Sequence, residues 1–445
     1  MAAHKRKAGG NRKIINALSV MNNSTSIFFR MKHRWIGYWF SQTSPIGFAV
    51  FRIAFGLVLL LYHVPRLWYI GELYTKKGYL FPMHLFFVLH LPIPSYSLAV
   101  ALNIVLVSVI IFLILGYKTR FFAIIVFILH TYFSLLERFS TKGYGAIMII
   151  YAFLLIFSPI GEVLSVDSMR KRFQTFIKNS KEDFSYARVS ITMQRIMLWQ
   201  LAEIYFFNVS SKILNGGWGW FNGQNMLNIY RDTETFARPF VLPFLEILKP
   251  LPILLGFFIP GTLLFIAIGL VRAQDRPYAI ALGISYHLFA LFTTTVPYVF
   301  TFLMFSLYII AIEPETWERW WWKLMRRYEK KRTMLFYDDA CVLCCRTIAC
   351  IHSADILERI QYIPISSVRS DAVMIGKNQI SREDLLREMH LVLLSGSVSK
   401  GFFAYRAMMR MIPAFWITVP FLYLPGARWI GERVYAFIAR NRKNV

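Results

Sequence analysis

Residues 313–345 read EPETWERWWWKLMRRYEKKRTMLFYDDACVLCC, and the character of the chain changes across them. A long apolar run ends at Glu313-Pro314-Glu315. Trp317, Trp320, Trp321 and Trp322 then stand beside Arg319, Lys323, Arg326, Arg327, Lys330, Lys331 and Arg332. Indole rings and cations both favour the headgroup layer of a bilayer, so 314–332 reads as a basic juxtamembrane helix. From Thr333 a short apolar run with the look of a strand leads into DACVLCC, and residues 342–352 can form a helix. The stretch therefore parts a membrane region from a small α/β domain over 333–445.

Downstream, RIQYIPI (359–365) and LVLLS (391–395) are expected strands. Ser381 with Asp384 three residues on marks the start of a short helix. The apolar stretch 412–425 is short and broken by Pro413, Pro420 and Pro425, a poor candidate for a crossing. The four cysteines, Cys341, Cys344, Cys345 and Cys350, all fall in one window. A disulfide scaffold would spread them along the chain, so chemistry is the better reading. Cys341 falls near a helix start, where unpaired N–H groups favour a thiolate. Cys344 lies about one turn on and within reach, the arrangement of an attacking and a resolving thiol. Cys345, on the same turn, is a competitor, and Cys350 is expected to pack inside. A zinc site and plain buried thiols are the alternatives; His352 alone gives zinc poor support, and no metal is expected.

YDDACVLCC (337–345) resembles the Tyr-Asp-Gly-x-Cys-x-x-Cys signature of the DCC family of thiol–disulfide oxidoreductases, with Tyr337, Asp338, Cys341 and Cys344 matching. Asp339 stands where the family has Gly, and two adjacent carboxylates oppose thiolate formation. VSKGFFAYRAMM (398–409), LPG (424–426) and VYAFIARNR (434–442) resemble the family's second half. The resemblance covers about 333–442. It implies a thioredoxin-like fold, disulfide reductase chemistry on a redox-active dithiol, Cys341 and Cys344, with Asp338 beside it, and a protein or peptide disulfide as substrate.

Upstream, the 445-residue chain is 56% hydrophobic and 17% charged, with mean hydropathy +0.47, less charge than a soluble domain carries. Segments 47–64, 97–116, 121–137, 145–162, 191–211, 252–271, 278–293 and 297–313 are candidate crossings, about eight in all. Segment 80–92, interrupted by Pro82 and His84, is expected to be re-entrant or interfacial. The net charge of +26 is not read as nucleic-acid binding, because Lys and Arg flank the apolar runs; orientation and anionic-lipid contact explain it. An even count keeps Arg170, Lys171 and Arg172 on the inner side, so both termini are expected in the cytoplasm, and a bacterial inner membrane is the expected location. No cleavable signal follows the basic start (His4, Lys5, Arg6, Lys7, Arg12, Lys13), and 14–42 reads as an interfacial amphipathic helix within a basic segment, 1–44.

Polar groups inside crossings are costly and therefore informative. They are Arg52, His63, His130, Glu137, Arg195, Gln200, Glu203, Asn208, Ser211, Lys212 and His287. Gln200, Glu203, Phe207 and Ser211 fall near one helical face. On spacing alone Lys212 reads as a snorkelling cation, and His130 and His287 as hydrogen-bonded interhelical histidines. Four segments resemble the HTTM superfamily, the membrane domain shared by vitamin K-dependent γ-glutamyl carboxylase and bacterial relatives. They are FRIAFGLVLLLYHVPRLWYIGELYTKKGYLFP (51–82), GYGAIMIIYAFLLIFSPIGEVLSVD (143–167), QLAEIYFFNVSSKILNGGW (200–218) and YHLFALFTTTVPYVF (286–300). The resemblance covers about 45–313 and puts Lys212 at the carboxylase's catalytic lysine and His287 at its histidine. It implies a base acting on a lipid hydroquinone; Arg52, Gln200, Glu203 and Ser211, polar groups within the crossings, are the expected cofactor-binding residues. The carboxylase's large lumenal domain has no counterpart, so protein γ-carboxylation does not follow. The superfamily also includes the sporulation-delaying toxin maturation protein B.

The expectation is a multi-pass α-helical membrane domain fused to a small thioredoxin-like domain. It is read as a membrane-bound thiol–disulfide oxidoreductase whose cytoplasmic dithiol reduces a disulfide, with a lipid quinone in the membrane domain. With Lys212 outside and Cys341 inside, coupling of the two needs a diffusible carrier. Two readings stay open beside it: a carboxylase- or epoxidase-like enzyme working through Lys212, and a non-enzymatic scaffold or peptide-toxin maturation partner. Oligomeric state is not legible.

Overall fold

The computed structural model describes residues 29–78, 80–179, 186–231, 238, 240–248, 250–329, 333–368, 372–375 and 378–442. Two compact units divide the chain: Met1–Thr43 with Arg188–Val296, and Ser44–Ala187 with Pro297–Val445.

In the larger unit, Ile46–His63 packs against Tyr96–Leu115 and Tyr298–Ala311, and Tyr96–Leu115 leads by way of Thr119–Leu136 to Arg138–Phe157. Phe51, Phe55 and Leu59 are fully buried at the centre. Tyr96–Leu115 shows why these helices suit lipid. It buries Leu106, Ile110 and Leu113 yet leaves Ile104, Val105, Ile111 and Phe112 exposed, so it is apolar on every side. One end of this bundle is tied by polar groups. The Arg52 guanidinium donates to the carbonyls of Ile160, Leu164 and Ile114. The Asp167 carboxylate accepts from the amides of Lys118 and Thr119, both at 2.8 Å, and so caps the Thr119–Leu136 helix. Between them the chain turns at Gly116 with φ +70°; a Cβ there would strike Ser165 and come within 3.0 Å of Arg52 Cζ. The serine–aspartate end of the segment 143–167 is thus explained by capping.

In the smaller unit a helix over 29–40 leads into an antiparallel pair, Gln42–Thr43 with Val189–Ser190. Thr192–Gly216 packs along Leu251–Val271, which packs on Arg276–Thr293. The Arg195 guanidinium lies over the Tyr38 ring at 4.6 Å, and Trp199 Nε1 donates to Tyr38 Oη at 3.0 Å. The expected amphipathic helix at 14–42 is described only in its second half; residues 1–28, with the basic start, lie outside the described residues.

Among the described residues four helices are long and apolar enough to cross a bilayer: Ile46–Tyr74, Tyr96–Leu115, Thr119–Leu136 and Leu251–Val271. A fifth is added if Tyr298–Ala311 and Pro314–Arg327, bent by 90°, count as one. The expected eight crossings are therefore not all matched. The segments at 145–162, 191–211 and 278–293 are helical. However, Arg138–Phe157 is apolar only from Gly143, and Thr192–Gly216 carries Arg195, Glu203 and Lys212. Segment 80–92 holds only a short helix, His84–Val88, in keeping with its non-crossing reading. Pro314–Glu329 forms the juxtamembrane helix, with Trp317 and Trp321 packed near Ile46 and Ala49.

The C-terminal region is a small α/β layer. Its mixed sheet runs in the order Ile360–Pro364, Thr333–Tyr337, His390–Val392, Val398–Lys400. The first pair is parallel and bridged by the Val342–Ala354 helix; the other pairs are antiparallel. Strand alternation sends Leu335 to one face and Phe336 to the other. Leu335 joins Ile348, Ile351, Leu391, Ala404 and Met408 under the cysteine helix and the Gly401–Met411 helix. Phe336 joins Ile365, Ile380, Leu385 and Val392 on the opposite side. Each such side chain contributes about 2 kcal/mol by leaving water. Ser381 caps Arg382–Arg387 by accepting from Asp384 N at 3.1 Å, as its spacing predicts. The edge strand Val398–Lys400 and the hairpin Ala372–Ile375/Asn378–Ser381 have no alternating apolar pattern and are found only in the structure. Val166–Asn179 packs along the cysteine helix, with Phe176 against His352 at 4.9 Å between ring centroids.

Candidate active site at the cysteine helix

Thr333–Tyr337 ends at the centre of the sheet and delivers the chain to a turn, Asp338–Ala340, directly before the cysteine helix. Two carboxylates fix that turn. Asp338 Oδ1 accepts from Ala340 N at 3.1 Å. Asp339 reaches across to Ser366, accepting from its amide at 3.1 Å and its hydroxyl at 2.5 Å. Burial works against the Asp339 charge, but the Ser366 donors outweigh it and hold the carboxyl below its usual range. The departure from the family's glycine therefore has a structural use: Asp339 ties the cysteine turn to the loop after the neighbouring strand.

Cys341 is the N-cap of Val342–Ala354, and its buried Sγ accepts from Cys344 N at 3.3 Å. An amide aimed at a sulfur suits a thiolate, both as nucleophile and as leaving group. Cys344, on the first turn, is half-buried. Burial, then the hydrogen bond and charge of Cys341, push its thiol up to about 12, with Arg442 opposing and Asp338 adding. Cys345 points elsewhere, donating to the Asp339 carbonyl at 3.4 Å. Burial first, then the charges of Asp339, Cys341 and Asp338, raise it too. The two cysteines of the pair are thus unlike: one is served by a helix amide, the other is kept protonated.

Arg442, at the far end of the chain, closes the site. Its Nη1 lies 3.7 Å from Cys344 Sγ, and its main-chain carbonyl lies 3.9 Å from Cys341 Sγ. Its Nη2 lies 3.9 Å from Asp338 Oδ2 and also donates to the Leu386 carbonyl. Beside Cys344 opens a cavity of about 410 Å³, walled by Tyr337, Leu385, Tyr405, Tyr435 and Ile438, with Asp338, Glu388 and Arg442 as its charged groups. It is an apolar recess with the Cys344 thiol in its wall, the kind of pocket that takes an apolar side chain.

The family model for the HTTM domain matches residues 40–317, more than half of the chain. The chain belongs to the HTTM family. A second family model, DCC1-like thiol-disulfide oxidoreductase, matches residues 335–445. No curated protein and no solved structure matches the chain. With its four or five apolar helices, the HTTM domain makes the chain an integral membrane protein, and the fused DCC1-like domain brings a redox-active cysteine pair.

Of the other expected site residues, Gln200, Glu203, Ser211, Lys212 and His287 belong to the smaller unit and Arg52 to the larger. His287, buried, holds Tyr205 Oη at 2.7 Å from its Nε2 on the facing helix, as an interhelical histidine does. Lys212 is half-buried, with Nζ 4.8 Å from the Trp220 ring. Glu203, Phe207 and Ser211 share one face of Thr192–Gly216, but that face is exposed, with Gln200 half-buried beside it. Ser211 Oγ accepts from Asn215 Nδ2 at 3.1 Å. Arg52 belongs to the other unit, with its donors on carbonyls as described. His63 Nε2 and His130 Nδ1 face each other at 2.9 Å, so His130 also pairs between helices. Cys350 corrects the sequence reading: it is exposed, although Ala349 and Ile351 on either side of it are buried.

Three contributors escaped the sequence reading: Arg442, Tyr435 and Asp355. Arg442 and Tyr435 lie in the segment VYAFIARNR, but a resemblance gives no contact. Asp355 accepts from the amides of Arg359 and Ile360, both at 3.0 Å, and its carbonyl accepts from Arg172 Nη2 at 3.3 Å.

Proposed function

We propose that the chain is a membrane-bound protein-disulfide reductase of thioredoxin-like design, with Cys341 as attacking and Cys344 as resolving thiol. The observation that carries this is the N-cap placement of Cys341 with the Cys344 amide on its sulfur. The strand order of the mixed sheet, with the cysteine helix in the parallel crossover, supports the thioredoxin-like reading. The Cys341 thiolate attacks one sulfur of a substrate disulfide; that S–S bond breaks and the departing sulfur takes up a proton. Cys344 then loses its proton to solvent and, with the Arg442 guanidinium beside its sulfur, attacks Cys341. The second substrate sulfur leaves as a thiol, and two electrons have passed to substrate as the Cys341–Cys344 disulfide forms. The apolar recess beside Cys344 takes a side chain of the substrate protein.

In this reading eight helices cross a bacterial inner membrane, and both termini are cytoplasmic, where reduction is favoured. Incubation of the full chain with a peptide disulfide tests it. Cys344→Ser should accumulate a mixed disulfide on residue 341, and Cys341→Ser should form none. Turnover by Cys341→Ser equal to the parent's would sink the proposal.

A second reading rests on Lys212, a half-buried cation against an aromatic ring. A lysine partly removed from water suits a base for a lipid hydroquinone, and His287 with Tyr205 supplies a buried proton-holding pair beside the same helix. A quinone, when bound, supplies two-electron chemistry there and is the carrier that coupling to the dithiol requires. Lys212→Ala losing quinone reduction by a dithiol, with Cys341→Ser losing it too, is the expected pattern for coupled sites. Loss with Lys212→Ala alone points instead to a carboxylase- or epoxidase-like enzyme. Function in cells without either residue points to a scaffold or peptide-toxin maturation partner.

A further inference from the structure

The C-terminal helix, Ala427–Asn441, has two unlike faces. The inner one belongs to the redox domain: Tyr435 Oη accepts from Met389 N at 2.9 Å, Gly431 lies against Phe402, and Tyr435, Ile438 and Ala439 wall the cavity beside Cys344. The outer one, at spacing i, i+4, i+7, is Ile430, Val434 and Phe437, exposed by 56%, 51% and 66%. A soluble helix puts polar groups there. The turns just before it, Pro413–Thr418 and Val419–Leu422, add Trp416, Ile417, Phe421 and Leu424, all more than half exposed. Scattered exposed apolar residues need no explanation, but seven large ones within 416–437 do.

The rim of this patch is basic. Arg433 and Arg440 flank the stripe on the same helix, Arg428 lies over the Phe403 ring at 5.2 Å on its other side, and Arg406 and Arg410 come from Gly401–Met411. Glu432 is the acid among them, and it is held by Arg428 at 3.0 Å. The Arg433 guanidinium lies 3.7 Å over the Trp429 ring and that of Arg406 lies 4.5 Å over Tyr423, which keeps the charges at the level of the aromatic surface. An apolar stripe bordered by Trp, Tyr and Arg is the composition of a helix lying in a bilayer interface.

We propose that this face docks the redox domain onto the anionic headgroup layer of the adjoining membrane leaflet. The apolar stripe enters the acyl boundary, and the arginines meet lipid phosphates. Charge decides between the occupants. Two copies meeting across a two-fold axis would set this arginine rim against itself, whereas anionic lipid supplies the opposite sign. The chain is already anchored by its own crossings, so the domain meets the bilayer at high effective concentration and modest insertion energy suffices. Docking would also steady the inner face of the same helix, and with it one wall of the dithiol recess. The inference goes beyond disulfide reduction and does not depend on it.

Hydrogen exchange of the full chain, reconstituted in phosphatidylcholine vesicles with and without phosphatidylglycerol, tests the docking. Amides of 414–440 should exchange at least about threefold more slowly in the anionic vesicles. The triple change Ile430→Glu, Val434→Glu, Phe437→Glu should abolish the slowing while leaving the alkylation rate of Cys341 at the parental value. If that variant loses Cys341 reactivity, Arg433→Gln with Arg440→Gln, which leaves the apolar face intact, should still reduce the slowing. Equal exchange in both vesicles, or a slowing that follows protein density rather than lipid charge as contact with a second copy or another protein would, overturns the proposal.

Discussion

Replacing Arg442 by Gln removes a cation 3.7 Å from the Cys344 sulfur. Two unit charges at that distance attract by about 4 kcal/mol at an effective dielectric constant of about 20. Asp338, 3.9 Å from the same guanidinium, takes up much of that field, and water reaches the half-buried thiol. The net bias toward the thiolate is then on the order of 1–2 kcal/mol, or about tenfold in thiolate fraction. In the reduced pair burial and Cys341 hold Cys344 at about 12; burial, the largest cause, still acts in the mixed disulfide, so the thiol stays mostly protonated near neutrality. The resolving step should therefore speed up about tenfold per pH unit across the accessible range. Arg442→Gln should lengthen the life of the Cys341 mixed disulfide by about tenfold at each pH and leave that slope unchanged. Arg442→Lys, which keeps charge but not the fork to Asp338 and the Leu386 carbonyl, should fall between. The assay is a single turnover of the reduced full chain with a peptide disulfide, quenched in acid, with the adduct on Cys341 followed by mass spectrometry. An adduct lifetime that is unchanged in Arg442→Gln, or that grows with rising pH, would refute the reasoning.

Asp355→Ala strips two buried amides of their acceptor and should cost about 3 kcal/mol, read as faster exchange of the sheet amides around 333–337. Burial, with Arg172 adding, lowers His352 to about 4. The unfolded chain binds that proton at about 6.5, so this contribution is full above about 6.5 and is lost as pH falls toward 4. It is on the order of 2–3 kcal/mol, measured as the difference in acid sensitivity between the parent and His352→Gln. Asp339→Gly removes a charge that raises Cys345 and should increase alkylation of Cys345 at pH 8 about threefold; mapping the alkylated cysteine by mass checks it.

The parts of this protein legible in its sequence are those whose causes are local. A strand, a turn and two cysteines one helical turn apart lie within a dozen residues, so the N-cap position of Cys341 follows from spacing and capping chemistry. The same holds for Ser381. Cys350 was not legible: Ile348, Ala349, Ile351, Ser353 and Ala354 are all buried around it, so no period marks 350 as the exposed position. Arg442 reaches Cys344 across 98 positions, and Arg172 reaches Asp355 across 183; no local pattern carries such contacts. The crossings divide the same way. Uniformly apolar runs declare themselves, whereas Thr192–Gly216, with Arg195, Glu203 and Lys212 on it, owes its helix to packing against Leu251–Val271.

The cysteine helix is gripped at both ends by arginines from distant parts of the chain, and the two grips differ in what they do. At its start Arg442 meets the resolving thiol and the carboxylate beside it. At its end Arg172 donates to the Asp355 carbonyl, supplying a cation where a helix exposes unpaired carbonyls. Arg172 stands on Val166–Asn179, whose first turn carries Asp167, the cap of the membrane helix Thr119–Leu136. A 13-residue helix, about 20 Å long, therefore joins the dithiol to the HTTM helices of the same unit through side-chain packing, with Phe176 against His352, and the hydrogen bond of Arg172. That path can pass a shift of the helix, but it cannot pass electrons, because the chain has no cysteine outside 341–350. A thiol–disulfide relay from the dithiol into the membrane helices therefore has no residue to run on, whereas the contact at Arg172 ties the end of the cysteine helix to Val166–Asn179 mechanically.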